Sequence, residues 1–290
     1  MSTFHERVQA LPHLGLGVST EYGATDRDHA LDPVALRTEN PAYAAFLEVG
    51  VEVAVGLDTH AVRWAERGWP TTFHFLDINL DDPTDFDPGW LDQVRQLVDV
   101  LKPAWLCGDA GLWHFGRRDR GHMLLLPPVL IPEAVAPLAD GIAALRDAIG
   151  LEVFPENPPG AAFLGDMHLL DFFGQVAERA DTGVLIDCAH LAMFQRARGH
   201  DPLTAFDGFP VDRVVELHIA GGTVRDHNGL AWVDDDHGRD VLPDTWQIAE
   251  HLMARAPNLK AVIIECERNP IDIVRPLFGE TAHRWTGARP

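Results

Sequence analysis

The sequence predicts an α/β protein built as a single (β/α)8 barrel of the TIM type over residues 1–290, and three observations carry that prediction. Short apolar runs recur along the chain, helical apolar periodicity follows several of them, and a potential metal ligand stands at or just beyond the C-terminal end of every run. A doubly wound open sheet is the competing architecture. It lacks its usual phosphate-binding signals here, since no Gly-x-Gly-x-x-Gly follows the first run and no Gly-x-x-x-x-Gly-Lys-Ser/Thr occurs anywhere.

Taken in order, the candidate strands are Leu14 to Ser19, Phe46 to Val51, Thr71 to Leu76, Ala104 to Gly108, Leu151 to Pro155, Gly183 to Asp187, Val214 to Ile219 and Ala261 to Glu265. Each is bounded by Gly, Pro or polar clusters, and their unbroken apolar character suits parallel strands buried on both faces. Helical spacing follows in Leu91, Val94, Val98 and Leu101 before Pro103, in Val135, Leu138, Ile142, Leu145 and Ile149 before Gly150, and in Leu169, Phe173, Val176 and Ala180. Long loops leave the fourth and seventh strands, Gly111 to Pro132 and Ala220 to Pro243, at the end where barrel enzymes build their sites.

Of the 290 residues 46% are hydrophobic, which is enough for a large core, and the formal net charge of −21 disfavours nucleic acid as a partner. No apolar run approaches the roughly 18 residues of a membrane span, and Met1 to Leu14 lacks a basic patch followed by an apolar stretch, so a cytoplasmic protein with no membrane partner is expected. Cys107, Cys188 and Cys266 are an odd number without Cys-x-x-Cys spacing, which points to apolar filler rather than disulfides or a zinc ribbon. Nucleophilic hydrolysis finds no Gly-x-Ser-x-Gly to support it.

The chemistry lies at the strand ends. They carry Glu21; Glu48 and Glu52; His74 and Asp77; Asp109; Glu156 and Asn157; Asp187 and His190; Glu216 and His218; Glu265 and Glu267. A ring of carboxylates converging on one barrel mouth repels itself unless cations offset it, because an unpaired buried charge costs several kcal/mol. Glu216 and His218, two apart in a strand, leave the same face, and the second loop adds Asp234, Asp235, Asp236 and His237. Mixed carboxylate and imidazole donors suit iron, manganese, zinc or magnesium.

Glu156-Asn157-Pro158, Leu185-Ile186-Asp187, Val214 to Gly221, Asp235-Asp236-His237-Gly238 and Ile264-Glu265, in that order, resemble the multinuclear non-haem iron-dependent oxidases of the DUF692 family. Phe46-Leu47-Glu48-Val49 and Phe73-His74 are similar to that family's second and third strands. The resemblance implies two or three irons of mixed ferrous and ferric state, with O2 as co-substrate, acting on a Cys, Asp or Asn of a ribosomally made precursor peptide. It implies a separate partner protein that delivers the peptide. The ligands it implies are His74, Asp109, Glu156, Asp187, His190, His218, Asp235, His237 and Glu265, with Glu156, Asp187 and His218 as the catalytic core and Glu216 near the cluster. Asn157 is expected at the substrate. The basic cluster Arg117, Arg118 and Arg120 of the first long loop either receives a substrate carboxylate, with Arg117 and Arg120 at the substrate, or is a solvated loop.

The chain departs from the family pattern at three places. Gly50 stands where the second strand has His, Asp109-Ala110-Gly111 where the fourth has Glu-His-Leu, and His190 where Asn is usual. Either a two-metal cluster results, or a neighbour such as Glu52 supplies the missing donor. A metal-dependent sugar isomerase or epimerase on the same barrel would act without oxygen, and a non-catalytic metal-binding protein would show no turnover.

Overall fold

The computed structural model describes residues 2–20, 31–118 and 124–288, the side chains of Leu230 and Ala288 excepted. Nine strands are present among them: β1 (Gly15–Thr20), β2 (Phe46–Val51), β3 (Thr71–Phe75), β4 (Leu106–Asp109), β5 (Val153–Glu156), β6 (Val184–Asp187), β7 (Val214–His227), β8 (Leu230–Gly238) and β9 (Ala261–Glu265). The sheet order is β6-β5-β4-β3-β2-β1-β9-β7-β8 with a further β6–β7 pairing, so eight strands close into a barrel and β8 hangs outside it. All barrel pairings are parallel; β8 alone runs antiparallel, against β7.

The described residues also form the helices α1 (Phe4–Arg7), α2 (Pro33–Glu39), α3 (Thr59–Ala65), α4 (Pro88–Leu101), α5 (Pro132–Ile149), α6 (Leu169–Ala180), α7 (Cys188–Arg198), α8 (Pro243–Arg255) and α9 (Ile271–Ala288). Their starts follow from local chemistry. Asp32, Asp58, Asp87 and Asp187 accept hydrogen bonds from the first-turn amides of α2, α3, α4 and α7, and proline opens α2, α4, α5 and α8, where its missing N–H costs nothing. No helix of the described residues is long and apolar enough to cross a membrane.

Alternation along each strand sorts the side chains into two cores. On β2, Leu47, Val49 and Val51 face the helices, while Phe46, Glu48 and Gly50 face the barrel axis. Phe46, Trp105, Cys107, Phe154, Leu185, Val215 and Ile263 fill the lower interior, and Phe4 and Val8 from the N-terminal segment plug it from below. Gly17 is required there, because a Cβ would stand 2.4 Å from the Phe46 ring. Above this apolar floor the inward positions become polar, which places the donors at the C-terminal end of the barrel.

The two long loops are ordered differently. The first folds back on itself through Leu112 and Leu126, which exchange backbone hydrogen bonds of 2.8 and 3.0 Å. The second is largely not a loop: β7 runs on past the barrel and returns as β8 through an Asn228-Gly229 turn, with His227 opposite Leu230.

Candidate metal centre

Six strand-borne donors converge on the mouth: His74, Asp109, Glu156, Asp187, His218 and Glu265. All but the partly buried Glu265 are 6% exposed or less. His74, Asp109 and Glu156 form one group whose ligand atoms lie within 4.8 Å of one another; Glu156, Asp187 and His190 form a second, and Asp187, His218 and Glu265 a third. His74 Nε2 and Glu156 Oε2 are 2.7 Å apart. His218 Nδ1 lies 3.2 Å from Glu156 Oε1 and 3.4 Å from Glu265 Oε1. Glu156 thus sits at the centre of the constellation.

Each donor is placed by its element. Asp187 ends β6 and caps α7, its Oδ1 accepting from the His190 amide at 2.6 Å, which sets the His190 ring over the mouth. Asn157 uses both ends of its carboxamide on the Asp187 backbone, donating to its carbonyl and accepting from its amide at 3.0 Å each, and so ties β5 to β6.

The ribbon delivers the rest. Along β8 the side chains alternate, so Asp234 pairs with Arg225 and Asp236 accepts from Thr223, while Asp235 turns to the mouth. A register shift at Gly221 and Gly222, with His237 at φ 50°, aims that imidazole the same way; His is among the residues that accept this left-handed region more readily. Asp235 Oδ2 lies 3.1 Å from His190 Nε2 and 3.5 Å from His237 Nε2, and His237 Nδ1 is 2.6 Å from Glu267 Oε1. All nine expected ligands therefore share one region. The tri-aspartate run divides by strand alternation.

A cavity of about 260 Å³ opens above the group, lined among others by Gly50, Leu76, Trp113, Leu125 and Pro159. Gly50 has no room for a side chain: a Cβ would meet the Thr20 carbonyl oxygen at 2.6 Å. Glu52 does not replace it, because β2 ends at Val51 and Glu52 lines a separate surface cavity with Asp77 and Arg118. Arg117 lines that same flanking cavity, away from the mouth, and Arg120 and Glu21 fall outside the described residues. Arg118 is held by Asp85 and Asp87 and stacks on Trp90.

Glu48 and Glu216 join His218 in a fourth, deeper group that the expected ligand set leaves out. Both carried a signal: Glu48 is a strand-end carboxylate, and Glu216 shares a face with His218. Cys107 is not inert filler either, since its thiol donates to Glu48 at 3.0 Å. All three cysteines are free and buried.

Burial and mutual charge shift protonation across the group. Burial, with the Glu156 charge, pushes Asp109 up to about 8, and burial with the charges of Glu265 and Glu156 carries Asp187 well above the carboxylate range. Burial pulls the His74 ring down, yet Glu156 and Glu48 outweigh it and hold the ring at about 9. His190, His218 and His237 rise well above their usual value for the same reason, neighbouring carboxylates overcoming burial. Asp109 Oδ1, Asp187 Oδ2, Asp235 Oδ1, Glu265 Oε2 and both nitrogens of His218 are buried without a hydrogen-bond partner. Orphaned donors of this kind, pointing together, fit metal ligation.

Residues 23–283 match the family of RiPP precursor modification enzymes described as MbnB/TglH/ChrH, that is, enzymes that modify ribosomally made peptide precursors. The chain belongs to this family. Among curated relatives, a UPF0276 protein of Neisseria meningitidis is 27% identical over 269 residues, 89% of each chain, and one of Acaryochloris marina is 27% identical over 69% of this chain and 71% of its own. Among solved structures, a xylose isomerase-like TIM barrel protein from Mycobacterium smegmatis in complex with magnesium covers 99% of both chains at TM-score 0.57 and 12% identity. A Thermus thermophilus protein soaked with zinc chloride covers 92% of this chain and 98% of its own at TM-score 0.54 and 18% identity. At such identities these two establish the barrel fold alone.

Proposed function

We propose that this protein is a multinuclear non-haem iron enzyme that uses O2 to oxidise a Cys, Asp or Asn residue of a ribosomally made precursor peptide, delivered by a separate partner protein. The observation that carries the reading is the set of buried, unpartnered carboxylate and imidazole atoms converging under one cavity, in a chain of a peptide-modifying family.

His74, Asp109, Glu156, Asp187, His190, His218, Asp235, His237 and Glu265 would hold the ions, with Glu156, Asp187 and His218 as their shared core. Iron bound there would supply Lewis acidity and the electrons for oxygen to remove hydrogen from a substrate carbon. The chain's own part is orientation and exclusion. Asn157 fixes Asp187, Glu267 fixes the His237 ring, and Trp113 and Leu125 from the first loop wall the cavity against water. The cavity has the scale of one amino-acid side chain rather than a folded partner.

Anaerobic purification followed by metal analysis and Mössbauer spectroscopy tests the proposal. Two or more irons per chain with a coupled ferrous/ferric signal are expected. Manganese, magnesium or zinc without iron, together with no oxygen consumption after iron reconstitution, would overturn it.

A further inference from the structure

We infer that the barrel floor holds a further divalent-cation site, distinct from the mouth group, formed by Glu48 on β2 and Glu216 and His218 on β7. The inference rests on the mouth reading only in that His218 serves both. The three residues are 1%, 0% and 0% exposed, and one ligand atom from each lies within 4.8 Å of the others.

Each carboxylate has one oxygen tied to the wall and one turned inward. Glu48 Oε2 accepts from the Cys107 thiol at 3.0 Å and from Thr72 Oγ1 at 3.3 Å, and Glu216 Oε2 accepts from the Trp105 indole at 2.6 Å. Glu216 Oε1 is buried without a partner. His218 Nε2 approaches Glu48 Oε1 to 2.9 Å, yet it makes no aligned hydrogen bond to it. Atoms about 3 Å apart have the separation of neighbouring ligands on one ion, since metal bonds of about 2.0–2.2 Å impose it. The wall donors are the outer contacts that fix ligand orientation in metal sites.

A route exists. Glu48 is part of the lining of the mouth cavity, which leads from the open end of the barrel to the floor group. Two carboxylates and one imidazole suit manganese, ferrous iron or zinc. The Cys107 thiol stays a hydrogen-bond donor, as burial and the Glu48 charge keep its proton on. His218 then turns Nε2 to the floor and Nδ1 to the mouth.

Manganese is the probe. Full-length protein is loaded with manganese(II), counted by equilibrium dialysis, and located by anomalous diffraction. A peak about 2.2 Å from Glu48 Oε1, Glu216 Oε1 and His218 Nε2 is expected. Glu216→Gln and Glu48→Gln, checked for folding by circular dichroism, should each bind one ion fewer while keeping the mouth peaks. Mouth peaks with an empty floor, or variants that keep the full count, would overturn the floor site and leave the mouth reading standing. No peak anywhere would remove both.

Discussion

His74 and Glu156, on strands β3 and β5, meet across the mouth through a 2.7 Å contact between Nε2 and Oε2. The contact spans β4, which lies between the two strands and contributes Asp109 4.0 Å from the same nitrogen. Three consecutive strands are thereby committed to one point in space.

Glu156→Ala should be the most damaging single change. It removes the carboxylate that faces His74, His190 and His218 together and so takes a shared counter-charge from three buried imidazoles, at a cost of about 3–5 kcal/mol in the metal-free protein. Denaturant unfolding reads the stability loss, and metal analysis should show an accompanying loss of bound ions.

Asn157→Leu should act on Asp187 without touching a charge. Two hydrogen bonds to the Asp187 backbone disappear, which costs about 1–3 kcal/mol and lets the β6 end shift. Lower thermal stability with weakened metal binding is the expected pair of results, and intact affinity would show that the β5–β6 tie is not needed to place Asp187.

Metal binding should release protons near pH 7. The Asp109 and Asp187 carboxyls hold protons without metal, and the imidazoles of His74, His190, His218 and His237 are cationic. All must give them up to ligate. Calorimetric titrations in buffers of different ionisation enthalpy measure the number released; zero would contradict the protonation pattern described above.

Chelation should lower the melting temperature reversibly. A ligand that binds only the folded chain at 100 times its dissociation constant stabilises by about 2.7 kcal/mol. Melts with and without a chelator check this, and the difference should vanish in Glu156→Ala.

Asp77 gives the pH dependence away from the metal donors. Burial, with the Glu52 charge, raises its carboxyl to about 6 despite Arg118, the Val53 amide and Trp90. The folded state therefore binds the proton more tightly than the unfolded one. The stabilisation is full below about pH 4 and is lost as pH rises through about 6, to the order of 3 kcal/mol. Asp77→Asn should flatten that part of the stability profile in denaturant titrations.

The barrel was legible because buried parallel strands are apolar runs and their C-terminal ends carry the polar residues. The predicted Ala261–Glu265 strand has the observed bounds, while the fourth begins at Leu106 instead of Ala104. Trp105 belongs to the apolar floor before the ladder starts, and burial alone does not distinguish the two. The β7–β8 ribbon was hidden by Gly221, Gly222 and three aspartates, residues of poor strand propensity. Its one clear sign was Asn228-Gly229, which turns the ribbon at φ 54° and 82°. The depth of Glu48 and Glu216 was not readable, because strand alternation gives the face of a residue and not its height along the axis.

The pairing of β1 with β9 joins residues 15–18 to residues 261–264. Donors run from Glu48 to Glu265, so no fragment lacking the final strand carries the whole constellation. During synthesis the chain must emerge almost entirely before the ring can shut. The donor set is complete only when the ring closes, so any ion that needs both Glu265 and either Glu48 or His74 can be held only once the last strand is in place.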